Sequence, residues 1–123
     1  MKNAKQMTSI GVWIFGLAAL LAFFPMVANA HPPASVELAY NTEKQVLEVK
    51  ITHVSSNPDK HYVKKVVIKK NGEAVGGGDY TSQPDKEVFT YTYTLVVVPG
   101  DLLEVKATCS VFGSKIAELK IEK

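Results

Sequence analysis

The stretch V-L-E-V-K-I-T-H, residues 46–53, decides how the chain is read. Leu47, Val49 and Ile51 alternate with Glu48 and Lys50, so one face of the segment is apolar and the other charged. That period of two belongs to a half-buried β-strand and not to a helix. Carried on by two residues, the apolar face arrives at His53. An imidazole thus stands where the inward row of hydrocarbon ends, and the functional question starts there.

The same alternation recurs on both sides. Val36, Leu38 and Tyr40 share one face of a preceding strand, and Asn41 to Lys44 turns the chain. Beyond a Ser55 to Lys60 loop, His61 to Lys70 reads as a strand that ends at Asn71-Gly72, a strong hairpin signal. A short strand around Ala74 and Val75 follows, and Gly76 to Gly78 and Ser82 to Lys86 read as a flexible connection. Phe89, Tyr91, Tyr93, Leu95 and Val97 alternate with Thr90, Thr92 and Thr94 in a long half-buried strand. After the Pro99-Gly100-Asp101 turn, Leu103, Val105 and Ala107 share a face whose next member is Cys109, and Ile116 to Ile121 closes the chain. About seven strands with no helical period predict an all-β fold, an immunoglobulin-like antiparallel β-sandwich.

Residues 1–30 follow a different rule. Lys2 and Lys5 precede an apolar run, Ile10 to Phe24, interrupted only by Gly11 and Gly16; Pro25 breaks it, and Ala28-Asn29-Ala30 offers a small-x-small cleavage site. This is the anatomy of a secretory signal peptide, and its core falls short of the roughly 20 residues a spanning helix needs. Cleavage after Ala30 leaves a domain of residues 31–123 that begins at His31 and has no membrane anchor. The sequence contains no arginine, which excludes the twin-arginine route. The expectation is Sec-type export in the unfolded state to the periplasm or the extracellular space, with any metal acquired there.

Lys2 and Lys5 also account for the formal charge of +2, so the domain itself is neutral and nothing in it argues for nucleic acid as a partner. A domain this small buries only a little more than about 60% of its unfolded surface, and exported ones often add disulfides. Cys109 is the only cysteine. An unpaired thiol in an exported protein is reactive, intermolecular or metal-bound.

The chemistry-bearing residues are therefore His31, His53, His61 and Cys109. Imidazole suits iron, copper and zinc, and a thiolate selects soft or borderline metals. Structural zinc usually takes two or more cysteines, so three nitrogens and one sulfur lean toward a reactive site. Spacing alone leaves the alternatives open: His53 as a hydrogen-bonded sheet residue, His61 as a surface strand start, Cys109 as a small core hydrophobe.

The run H-V-S-S-N-P-D-K-H-Y-V, His53 to Val63, followed by K-K-V-V-I-K-K-N-G, resembles the superoxide reductase (desulfoferrodoxin iron-binding) family, in which two histidines flank a proline-containing loop. G-D-L-L-E-V-K-A-T-C-S-V-F-G, Gly100 to Gly113, resembles that family's C-x-x-H-G signature with its preceding strand. The resemblance implies a mononuclear non-haem iron held by equatorial histidines and an axial cysteine, superoxide as substrate and an electron-donor protein as partner. By position it makes His61 and His53 equatorial ligands, Cys109 the axial thiolate and His31 the first histidine. Phe112 stands where the last histidine of the signature belongs, and Lys65 where an aromatic residue belongs.

Two further expectations concern His31. After cleavage it carries a free α-amine, with a reference pKa of about 7.7 to 8.0, which can replace the nitrogen lost at Phe112. An amine-plus-imidazole pair also resembles the brace of exported copper proteins, so copper binding or handling is the alternative, and a metal-free sandwich serving as an interaction module is the bland one. Lys60, Lys64, Lys65, Lys69 and Lys70 crowd the third strand, where they can steer an anion, form a solvated face or guard an edge strand.

Overall fold

In the computed structural model, which describes residues 31–122, the alternation becomes seven strands: β1 Ser35–Asn41, β2 Val46–Thr52, β3 Val63–Lys70, β4 Glu73–Asp79, β5 Val88–Thr94, β6 Leu102–Cys109 and β7 Ser114–Lys120. A signal peptide over residues 1–30 lies outside the described residues. The strands form two antiparallel sheets, β1-β2-β5 and β4-β3-β6-β7, that pack as a β-sandwich. The inward rows read from the sequence make its core: Leu47, Val49 and Ile51 from β2, Val66 and Ile68 from β3, and Leu103, Val105 and Ala107 from β6 are all buried. Each of the valine, leucine and isoleucine side chains among them stabilises the fold by about 1.5–3 kcal/mol through removal from water.

Three departures from the expected elements have local causes. Gly76, Gly77 and Gly78 belong to β4, opposite Ile68, Val67 and Val66 of β3, and are no loose connection. Gly77 has φ 134°, and a β-carbon there would collide with the Val66 carbonyl, so the glycine lets the two backbones meet. The fifth strand stops at Thr94 because its neighbour β2 runs out at Val46, where Gln45 turns the chain with φ 56°.

The third strand begins at Val63, not at His61, and contains a bulge between Val63 and Lys65. It is also an inner strand, flanked by β4 and β6. Its lysines therefore guard no edge; Lys64, Lys65 and Lys69 form a solvated face, with Lys65 Nζ 3.8 Å from Asp79.

Beside β5, Tyr80 stacks on Tyr91 at 4.2 Å between ring centroids, and its hydroxyl lies 2.7 Å from that of Tyr93. Burial, reinforced by Tyr80, pushes the Tyr91 hydroxyl from 10.0 up to about 12, and burial together with the hydrogen bond to Tyr80 pushes Tyr93 further the same way. A phenol with a raised folded-state pKa contributes stability that is whole below its unfolded value and is lost as pH climbs toward the folded one. The free energy of urea unfolding should accordingly decline between pH 10 and about 12, and Tyr91→Phe combined with Tyr93→Phe should flatten that decline.

Candidate metal centre

The inward row of β2 does end in His53, which is 0% exposed. Past the strand the sheet pairing persists: His53 N–H donates to Glu87 O and Ser55 N–H to Lys86 O, both at 2.8 Å. The following loop closes on itself. Lys60 and His61 donate their amides to Asn57 O at 3.0 and 2.9 Å, while the buried Ser55 hydroxyl donates to His61 O. Asn57 and Pro58 make this turn because the asparagine carbonyl is free to accept and the proline fixes φ. The loop thus returns His61 to the rim that His53 occupies.

The strand β6 supplies the sulfur. Cys109 is 2% exposed and lies opposite Val63 of β3. Its Sγ is 3.2 Å from His61 Nε2 and 3.4 Å from the Val111 N–H that donates to it. Two bonds clamp the same corner: Ser110 N–H donates to Tyr62 O at 2.8 Å, and Tyr62 N–H donates to Ser110 Oγ at 3.1 Å.

His31 arrives from the opposite direction. Pro33 is fully buried, Ala34 N–H donates to Thr52 O at 2.8 Å, and Pro32 lies on Gly113. A methyl group at position 113 would come within 2.9 Å of the Pro32 β-carbon, and Gly113 has φ 78°. This stiff pair of prolines brings the His31 ring to 5.7 Å from that of His53 and 5.6 Å from that of His61, which are themselves 4.6 Å apart.

All four residues singled out in the sequence therefore meet at one rim. One donor atom from each of His53, His61 and Cys109 lies within 4.8 Å of the others, and this group can hold a metal ion. Nitrogen and sulfur ligands on one tetrahedral ion sit about 3.5 Å apart, close to the 3.2 Å between His61 Nε2 and Cys109 Sγ. Phe112, by contrast, is 63% exposed and takes no part.

Sequence reading missed Gln83. It sits in the polar connection before β5, yet it is 5% exposed, and its Oε1 lies 2.8 Å from His53 Nδ1. No periodicity marks a glutamine in a loop as buried. Among the described residues, His53 Nε2 is the one buried side-chain nitrogen or oxygen with no hydrogen-bond partner. A buried ring nitrogen without a protein partner, beside a thiol and two more imidazoles, is open to a metal ion.

No family model, curated protein or solved structure matches the chain. The resemblance to superoxide reductases rests on the sequence motifs alone.

Burial, and then the neighbouring charges of His53 and His31, lower the His61 pKa below 6.5. The unfolded chain therefore binds more protons than the folded one in the interval between His61's folded pKa and 6.5. Stability is whole above that interval and is lost as pH falls through it. Metal-free protein should lose unfolding free energy on acidification below pH 6.5, with His61→Gln giving a shallower pH dependence in the same urea titration. Independently, Gly113→Ala should cost about 1–2 kcal/mol from the left-handed backbone alone and should displace His31, read as a shift of its ring resonances relative to those of His53.

Proposed function

We propose that this is an exported protein that holds one mononuclear iron ion through His31, His53, His61 and Cys109 and reduces superoxide. The bare, buried Nε2 of His53 beside the His61–Cys109 pair carries the reading. The donor set fits: three imidazoles and a thiolate suit a first-row transition metal, and a single sulfur argues against a closed structural zinc site. When bound, ferrous iron supplies one electron to superoxide, which with two protons becomes hydrogen peroxide, and an electron-donor protein restores the reduced state.

The chain's own groups set the conditions for that chemistry. The Val111 N–H draws charge from the sulfur, a hydrogen bond of the kind that tunes a thiolate-bound redox centre. Leu103, Val105 and Ala107 beneath Cys109 keep water from the inner side of the site. Exposed Lys60 and Lys64 flank the His61 segment and favour approach of a small anion. The strand orders also support the immunoglobulin-like assignment, with a three-stranded sheet facing one in which β3 and β6 are central.

Copper is the competing metal. An amine-plus-imidazole chelate closes through Nδ1, but His31 Nδ1 here donates to Pro32 O at 3.2 Å, which favours ligation by side chains alone.

Metal analysis of the exported chain decides between the readings. The expected result is one iron per chain with a visible sulfur-to-iron charge-transfer band, lost in Cys109→Ser and much weakened in His53→Ala, and consumption of superoxide with peroxide as product. Copper that is released on adding one residue before His31 would replace the iron reading. Protein that takes up neither metal would leave an interaction module.

A further inference from the structure

The side chain of Gln83 is fully committed. Its Nε2 lies 2.8 Å from His53 O and 2.8 Å from Asp85 O. Carbonyl oxygens only accept, so this end is the amide NH2 and the other end is the carbonyl. That Oε1 faces two nitrogens, His53 Nδ1 at 2.8 Å and the Val63 N–H at 3.2 Å. Since Oε1 carries no hydrogen, Nδ1 must donate. A neutral imidazole has a single N–H, so Nε2 is left with a lone pair, and this is the atom with no partner in the protein. Flipping the amide would set NH2 against the Val63 N–H and the carbonyl against two other carbonyls, so the other tautomer of His53 finds no compatible arrangement.

The same residue also holds the chain on either side of the second histidine. Gln83 N–H donates to Pro58 O at 3.2 Å, and Oε1 accepts from Val63. These two contacts bracket the segment that carries His61.

We infer that Gln83 is a positioning residue of the metal site, holding His53 in the Nδ1–H tautomer with Nε2 bare toward the metal and fixing the His61 segment on the same frame. The inference rests on the metal-binding reading and specifies which ring nitrogen serves it. Glutamine in place of a carboxylate leaves His53 with a neutral acceptor. The charge of the donor set then stays that of the thiolate alone.

Nitrogen-15 NMR of the wild-type, metal-free chain at mildly alkaline pH tests it directly. The expected pattern for His53 is a protonated Nδ1 and a bare Nε2; a protonated Nε2 overturns the inference. Gln83→Met keeps the length and removes every donor and acceptor. It should lower affinity for Co2+ by about 10–100-fold, the range for loss of such a supporting contact, and give His53 a mixture of tautomers. Gln83→Glu keeps an oxygen opposite Nδ1 while losing both amide donors. It should melt at lower temperature yet retain the tautomer and bind Co2+ more tightly than Gln83→Met does. General damage to the fold would weaken binding in step with melting temperature, and that outcome also overturns the inference. If the wild type shows the expected tautomer and binds neither Co2+ nor Fe2+, the metal reading is what fails.

Discussion

The pairing of β3 with β6 is the constraint on which the site depends. Within β3, Val66 and Ile68 point inward, and strict alternation would carry Lys64 into the core and turn Val63 out. The bulge between Val63 and Lys65 resets the count by one residue. Lys64 and Lys65 both face solvent, Val63 is buried, and His61, two residues earlier, comes to the side on which Cys109 ends β6. A one-residue slip in register would send every side chain to the other face, so the bulge and the Val63–Cys109 pairing together bring sulfur and imidazole within 3.2 Å. Bulges commonly serve to re-aim a side chain beside a site.

The rim is also where the protein accepts an unmet polar group. Leaving a buried polar atom without a partner costs about 1–3 kcal/mol, a large share of the stability of a small domain. The neighbouring groups show that the fold can satisfy such atoms: the Gln83 side chain uses both its amide donors and its carbonyl, and the Ser55 hydroxyl bonds twice. His53 Nε2 stands apart from that pattern, and burial beside two other imidazoles disfavours a proton on His61. A partnerless ring nitrogen next to a thiol forms a buried pocket that a cation would complement.

Much of this was legible in the sequence because period-two alternation is a long-range ruler. Counting inward positions from Leu47 lands on His53, and counting from Leu103 lands on Cys109; both are buried as that count requires. Connectivity alone placed His61 near His53. The illegible parts are those in which backbone geometry overrides the pattern. The bulge in β3 follows from pairing with two neighbours and has no residue signature. Gly76 to Gly78 read as a connection because glycine disfavours strands, yet close approach of β3 makes Gly77 necessary. Gln83 was invisible because its burial depends on groups 20 to 30 residues away.

The four candidate ligands are oriented by four separate protein contacts, each independent of any ion: Gln83 on His53, Ser55 on the His61 backbone, the Val111 amide on the sulfur, and Gly113 against Pro32 for His31. Folding the sandwich therefore meets most of the ordering cost of the ligands, at about 1–2 kcal/mol per backbone residue fixed. Little of that cost is left to set against metal affinity. Small metal domains whose ligands gather only around the ion behave differently, since their folding and binding are one event. A metal bound here would instead add to a fold already held by its core, by about 2.7 kcal/mol when free metal stands at 100 times its dissociation constant. A donor set held in this way also limits how far the ligands could adjust around an ion, so the fold rather than the ion would set the geometry of the site.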